Sequence, residues 1–99
     1  MEIVKTKDGN RLTFTLNGRL DTLTAPELQA ALMPAFDEAA AVVLDFAGVS
    51  YVSSAGLRVL LLGEKTSKLK NSSMSLANVS QEVKEIFEMT AFSDFLKIV

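Results

Sequence analysis

The feature that most constrains the fold is a polar stretch enclosed between two apolar runs. Residues 42–44 are all aliphatic, which is typical of a strand buried on both faces. Residues 57–62 are mostly aliphatic and too apolar for a solvated helix. Between the two runs stand two adjacent serines, Ser53 and Ser54. The pattern therefore predicts the end of a strand, a short loop, and a helix that begins at the serines.

The two serines are candidate functional residues because of where this unit places them. In open α/β sheets, ligands and partners dock at the carboxyl ends of the strands. A serine at the start of a helix also has a purely structural role, since its hydroxyl caps the helix and contributes about 1 kcal/mol. The two interpretations are compatible, because an N-cap hydroxyl is also an exposed one. From the residues alone both stay open.

A β-hairpin is predicted at the beginning of the chain. The turn Asp8-Gly9-Asn10 joins strands over residues 2–7 and 11–17, since Asp-Gly favours the positive φ angles of a tight turn. In the second strand apolar residues alternate with polar ones, so we expect one buried and one solvated face. The solvated face is a candidate interaction surface.

A helix follows the hairpin. Thr24 is a suitable N-cap, and Glu27 three residues later completes a capping box. Apolar residues then follow helical spacing as far as Ala39. Pro34 lies inside this pattern and is expected to kink or divide the helix.

The second half of the chain alternates strands with helices. The predicted elements are a strand over residues 41–46, a helix over 54–70, a strand over 74–79, a third helix capped by Ser80, and a short strand over 95–99. The order is therefore β-β-α-β-α-β-α-β, and strands joined by single helices pair in parallel. The sequence predicts one α/β domain over residues 1–99, with a mixed, mostly parallel sheet of about five strands and helices packed on it.

Charge and composition exclude several classes of function. The net charge of −2 and the scattered positions of the ten Lys and Arg residues argue against nucleic acid as the main partner. The chain has neither cysteine nor histidine, so it lacks the usual general base, the commonest metal ligand and every Ser-His or Cys-His arrangement. We therefore expect no metal, no cofactor and no catalytic residue. A nucleophilic Ser54 would need Lys65, Lys68 or a carboxylate as its base, and no spacing indicates one.

The sequence shows neither a signal peptide nor a membrane-spanning segment. The first residues lack the apolar core of a signal peptide. No apolar run approaches the ~18 residues that a membrane-spanning helix needs. We expect a cytoplasmic protein without direct membrane insertion, and a monomer is the simplest expectation for its oligomeric state.

Three blocks of the sequence resemble the STAS domains, specifically the bacterial anti-sigma factor antagonists. The first, residues 18–27, contains the Gly-x-Leu-Asp core of that family in Gly18-Arg-Leu-Asp21. The second, residues 45–57, has an aspartate ending a strand and then serines and Gly-Leu opening a helix. The third, residues 87–92, lies near the C-terminal end. The blocks stand in the expected order and span essentially the whole chain.

The resemblance implies a regulatory binding protein and not an enzyme. In such proteins the serine just inside the helix is phosphorylated by a partner kinase that is itself the anti-sigma factor. The unphosphorylated protein binds that kinase and frees the sigma factor, and phosphorylation ends the binding. Alignment on Gly56-Leu57 places Ser54 at the acceptor position, with Ser53 as the alternative. The partner-binding residues that the resemblance implies are Asp21, Thr22, Ser53, Ser54, Ala55, Gly56 and Arg58.

Partners and alternatives follow from the same resemblance. It implies a serine-kinase anti-sigma factor or a related switch kinase, and a PP2C-type phosphatase as a further partner. The alternative function is that of a STAS subunit in a larger sensory or transporter-associated complex. The chain departs from the family pattern at two positions, since Ser53 replaces the usual aspartate and Ala55 replaces the usual Ser or Thr.

Overall fold

A four-stranded sheet with three helices forms the computed structural model, which describes residues 1–99. The strands are β1 (Glu2–Asp8), β2 (Arg11–Leu20), β3 (Ala41–Val52) and β4 (Ser73–Ala77). The helices are α1 (Ala25–Glu38), α2 (Ser54–Leu69) and α3 (Gln81–Met89), followed by a 3₁₀ turn at Phe92–Asp94. The predicted order of elements is confirmed as far as the third helix.

The sheet is mixed, as predicted, with the order β1-β2-β3-β4. The hairpin strands β1 and β2 pair antiparallel around a turn in which Gly9 takes a φ of 61°. The pairs β2–β3 and β3–β4 are parallel, because a helix crosses over the sheet between the strands of each pair. Both crossovers bring carboxyl ends of successive strands to one edge of the sheet.

The predicted fifth strand over residues 95–99 is wrong. Only Ile98 forms a bridge, parallel to Leu76, and the carbonyl of Lys97 accepts a hydrogen bond from the Leu76 N–H at 2.8 Å. The 3₁₀ turn ends at Asp94 and Leu96 is buried in the core, so too little chain remains to pair along β4.

All three helices cover one face of the sheet. The side chains that alternate toward this face are buried in β2, β3 and β4, and they include Phe14, Leu44 and Leu76. The opposite positions, such as Thr15 and Ser75, stay in contact with solvent. The predicted alternation of β2 into a buried and a solvated face is thus confirmed. One core of 24 buried apolar residues lies between sheet and helices.

Helix α1 differs from its prediction at both Thr24 and Pro34. The helix is continuous from Ala25 to Glu38, so the division expected at Pro34 does not occur, and the kink stays a prediction. Pro34 has no N–H, so the carbonyl of Ala30 has no intrahelical donor. Both residues lie on the exposed side of the helix, where water can hydrate that carbonyl. The hydroxyl of Thr24 makes no cap hydrogen bond to the helix, so the predicted capping box with Glu27 is wrong.

Strand β3 is longer than predicted. Instead of ending near Phe46 and giving way to a loop, it continues to Val52. Two register shifts against β2, between Thr15 and Asn17 and between Gly18 and Arg19, absorb the residues that the sequence assigned to a loop. The strand leads directly into α2, so the residues that follow it are held by sheet hydrogen bonds.

Candidate functional site

The ends of β2 and β3 lie side by side and form the candidate site. Leu20 pairs with Val52, and the N–H of Ser53 donates a hydrogen bond to the carbonyl of Leu20 at 2.8 Å. Asp21 and Ser53 therefore follow neighbouring strand ends at one edge of the sheet. Two of the sequence blocks, separated along the chain, meet at this edge.

Ser53 is the N-cap of α2. Its backbone is extended, and its Oγ accepts a hydrogen bond from the N–H of Gly56 at 3.4 Å. Its carbonyl accepts from the N–H of Leu57 at 2.9 Å, which closes the first turn of the helix. The side chain is half-buried. Ser53 is therefore the serine that caps the helix, a role that the sequence left open between the two serines.

Ser54 is the first residue of α2, and its side chain is exposed. Because the capping hydroxyl is that of Ser53, the hydroxyl of Ser54 takes no part in holding the helix end. The two serines differ in environment although they are adjacent in sequence. Ser53 faces the backbone of its own helix, and Ser54 faces solvent.

This difference predicts unequal effects on stability. We expect Ser53→Ala to lower the free energy of unfolding by about 1 kcal/mol, since it removes the cap, whereas Ser54→Ala changes it by less than about 0.5 kcal/mol. Urea denaturation of the two variants beside the wild type measures the difference. Equal losses in both variants would contradict the assignment of the cap to Ser53.

Gly56 lets α2 approach β2 closely. The residue is buried, and a Cβ added to it would lie 2.7 Å from Cγ and 2.9 Å from the backbone carbonyl oxygen of Leu20. Contacts this short are not tolerated between packed atoms. Of the predicted partner-binding residues, Gly56 thus has a positioning role, because it fixes where Ser54 stands relative to the strand ends.

Asp21 caps the turn that precedes α1. Its carboxylate accepts hydrogen bonds from the N–H groups of Leu23 at 3.0 Å and Thr24 at 3.1 Å. In return the Thr24 hydroxyl accepts from the N–H of Asp21 at 2.9 Å and donates to the carbonyl of Arg19 at 2.6 Å. This is a capping box one turn earlier than the one predicted at Thr24.

These contacts also fix the charge of Asp21. The hydrogen bond from the Thr24 N–H is the main reason why the pKa of the Asp21 carboxyl lies below its ordinary value. Partial burial opposes this effect, while the Leu23 N–H, the Thr24 hydroxyl and the Arg19 guanidinium, 4.0 Å away, add to it. The carboxylate is therefore ionised at neutral pH and directed into its own turn.

A groove between the N-terminal halves of α1 and α2 opens beside Ser54. It has a volume of about 220 Å³ and brings together three predicted partner-binding residues, Thr22, Ala55 and Arg58. Pro26 and Gln29 of α1 line the opposite side. These α1 residues could not be predicted, because a single sequence does not show which turns of two helices face each other.

An aromatic side chain near the serines was also missed. The guanidinium of Arg19 lies 4.5 Å from the ring centre of Tyr51, which is 38% exposed. Such cation–π pairs contribute roughly 0.5–1 kcal/mol at exposed sites. The pair depends on the shifted register of β2 against β3, which the sequence does not reveal. Leu23, 83% exposed in the turn after Asp21, is a further apolar side chain at this edge.

Comparison with protein families agrees with this architecture. A model of the STAS domain family matches residues 2–99. The chain is 33% identical to the BtrV protein of Bordetella bronchiseptica over 93 residues, which cover 93% of this chain and 80% of that protein. It is 29% identical to the anti-sigma-B factor antagonist of Bacillus subtilis over 89 residues, which cover 90% of this chain and 82% of that protein.

Solved structures show the same fold. The anti-sigma factor antagonist SpoIIAA in its unphosphorylated form superposes with a TM-score of 0.82 at 16% identity, over 99% of this chain and 88% of that chain. The phosphorylated form of SpoIIAA from Bacillus gives a TM-score of 0.76 at 15% identity, over 99% of this chain and 91% of that chain. None of the helices in the present structure is both long and apolar enough to cross a membrane.

Proposed function

The chain belongs to the STAS domain family, and we propose that it is an anti-sigma factor antagonist that binds a serine-kinase anti-sigma factor and is released by phosphorylation at Ser54. Like the antagonists it resembles, it is a regulatory binding protein and not an enzyme. One observation carries the choice of residue: Ser53 supplies the helix cap, while the neighbouring hydroxyl of Ser54 is exposed. An acceptor must be able to enter the kinase active site, and Ser54 meets that condition.

The helix end favours a phosphate at this position. A helix N-terminus carries a partial positive charge and unpaired N–H groups, both of which stabilise an anion. Helices α1 and α3 have an acidic residue in the first turn, Glu27 and Glu82, whereas α2 has none. A phosphate on Ser54 meets no carboxylate in its own helix turn, so the fold survives phosphorylation.

The same phosphate disrupts a docked partner. It brings a charge of about −1.5 to −2 into a surface that the partner covers. An unpaired charge buried in an interface costs roughly 3–5 kcal/mol. Changing the protein from almost fully bound to almost fully free requires a change of about 5.5 kcal/mol in binding free energy. A single phosphate therefore supplies most of the change that switching requires, and steric overlap adds to it.

The remaining parts of the proposal concern the cellular setting. We place the exchange in the cytoplasm, between a monomeric antagonist and an anti-sigma factor kinase. A PP2C-type phosphatase would remove the phosphate and restore binding. Asp21, Thr22, Ala55 and Arg58 are proposed as contacts that surround the acceptor serine, with Asp21 acting through the turn that it caps.

A competition experiment tests the antagonist function. The wild-type protein is added to a purified complex of the kinase with its sigma factor, in the presence and absence of ATP. We expect sigma factor release without ATP, and its progressive reversal with ATP as Ser54 is phosphorylated. Ser54→Ala should release the sigma factor under both conditions, whereas Ser53→Ala, which keeps the Ser54 hydroxyl, should still show reversal by ATP.

Two outcomes contradict the proposal. Reversal by ATP that persists in Ser54→Ala would move the acceptor to another residue. Failure of the wild type to release any sigma factor, together with its recovery in a large complex or with a transporter, would favour the alternative of an assembly subunit.

A further inference from the structure

We propose that Arg58 pairs alternately with two anions. In the unphosphorylated protein its guanidinium binds a carboxylate of the kinase, beside an apolar kinase side chain that occupies the groove between α1 and α2. After phosphorylation it binds the phosphate on Ser54 instead. This inference rests on the proposed function and names the partner chemistry and the regulation of the same site.

The groove suits one apolar side chain of a protein partner. Its base contains Ala25 of α1 and Val59 of α2, which are both buried, and Leu62 forms part of its wall with 40% of its surface exposed. The volume of about 220 Å³ lies below the range of pockets that enclose whole small molecules. It is adequate for a single anchoring side chain, and such anchors in central pockets carry much of the energy of protein interfaces.

The charge at the groove favours a kinase in which an acidic residue stands next to the apolar side chain. Arg58 is the only charged residue that lines the groove. The other two arginines, Arg11 and Arg19, each lie within 4.0 Å of an aspartate of this chain, whereas Arg58 forms no ion pair. A guanidinium binds a carboxylate through two parallel hydrogen bonds. We therefore expect an Asp or Glu beside the anchoring residue of the kinase.

Helix geometry brings Arg58 to the phosphate. Ser54 and Arg58 lie four positions apart in α2 and are both exposed. Side chains at this spacing are neighbours, with about 5–6 Å between their Cβ atoms. A phosphate on Ser54 thus competes for the cation that the kinase carboxylate uses. Phosphorylation then weakens kinase binding in two ways. The kinase carboxylate loses its pairing with Arg58, and it faces the negative charge of the phosphate.

The first test measures the contact between Arg58 and the phosphate without any kinase. Phosphoserine is incorporated at position 54 during translation, and the phosphate is titrated by ³¹P NMR in the wild type, in Arg58→Gln and in the control Lys65→Gln. Lys65 is exposed on the same helix and forms no ion pair. A nearby cation favours the dianion, so we expect Arg58→Gln to move the titration midpoint upward by about 0.5 pH unit and Lys65→Gln to leave it unchanged.

The second test measures binding of the unphosphorylated protein to the purified serine-kinase anti-sigma factor of the same organism. We expect Arg58→Gln to weaken binding about tenfold, because it removes a charge-assisted hydrogen bond. Gln29→Trp should block the groove and weaken binding by a similar factor. The matched control Gln81→Trp changes another exposed glutamine, at the start of α3, and should have no effect.

The possible results separate this inference from the function on which it rests. A raised titration midpoint together with weaker binding of Arg58→Gln and Gln29→Trp supports the inference. An unchanged midpoint, or binding of Arg58→Gln equal to the wild type while phosphorylation still releases the kinase, overturns the inference alone. Absence of any kinase binding by the wild type overturns the proposed function and the kinase contact with it.

Discussion

Phosphoserine at position 54 is expected to weaken binding to the kinase by roughly 10²- to 10⁴-fold, because the kinase surface that covers it offers no partner for the new charge and its carboxylate loses Arg58. The exposed position of Ser54 places its phosphate in the path of any partner that covers the edge formed by β2, β3 and α2. The helix end holds the phosphate in place, so the charge cannot move away from the interface.

Calorimetric titration of the kinase with three forms of the protein measures this effect. The forms carry phosphoserine at position 54, phosphoserine at position 53, or no phosphate. The form with phosphoserine at position 53 controls for the position of the charge, because the Ser53 side chain faces the backbone of its own helix. An affinity of the form phosphorylated at Ser54 within tenfold of the unphosphorylated protein would contradict the switch.

The substitution Gly56→Ala is expected to destabilise the fold by at least about 2 kcal/mol, although alanine favours a helix by about 1 kcal/mol over glycine. The added methyl group would overlap Cγ and the backbone carbonyl oxygen of Leu20, which belongs to a strand and cannot rotate away. Relief requires α2 to move off the sheet. The movement would displace Ser54, so the variant should also be a poor kinase substrate.

A second glycine in the same helix provides the matched control. A Cβ on Gly63 would lie 2.8 Å from Cδ2 of Leu32 and 2.8 Å from Sδ of Met74, which are ends of flexible side chains. These ends can rotate away because neither belongs to the backbone, and the gain in helix propensity offsets part of the cost. We expect the free energy of unfolding of Gly63→Ala, measured in urea, to lie within about 1 kcal/mol of the wild-type value. Equal stability of Gly56→Ala and Gly63→Ala would contradict the close approach at Leu20.

Much of the fold could be predicted because local signals and tertiary packing agree. The alternation in β2 matches its buried and solvated faces, and Ser80 caps α3 through the N–H of Val83 at 3.2 Å. The start of α2 at the two serines was predicted from the change in polarity alone. At these places the residue pattern and the native environment favour the same structure.

The errors occur where hydrogen bonding or strand pairing in the folded chain overrides the pattern of the residues. The continuation of β3 to Val52 requires register shifts against β2, and only the pairing of the two strands defines them. Thr24 is a good cap by composition, but its hydroxyl is already bonded to the Asp21 N–H and the Arg19 carbonyl. Pro34 leaves α1 undivided because water can hydrate the Ala30 carbonyl that loses its donor, and the sequence pattern alone does not decide whether a helix is continued or broken there.

The candidate site was only partly predictable for the same reason. The position of the two serines followed from the sequence, but their different roles did not, since both are acceptable caps. The hydrogen bond to Gly56 distinguishes Ser53. The groove could not be predicted, because its two sides come from α1 and α2, and only the packed structure shows that Gln29 faces Arg58.

The proposed switch depends on Ser54 as its phosphate acceptor. The most direct test is mass spectrometry with site mapping, after the protein has been incubated with ATP and the serine-kinase anti-sigma factor of the same organism. We predict a single phosphate, located on Ser54, and loss of the phosphorylated protein from the kinase complex. A phosphate on Ser53, or a stable kinase complex in which the protein gains no phosphate, would contradict the claim.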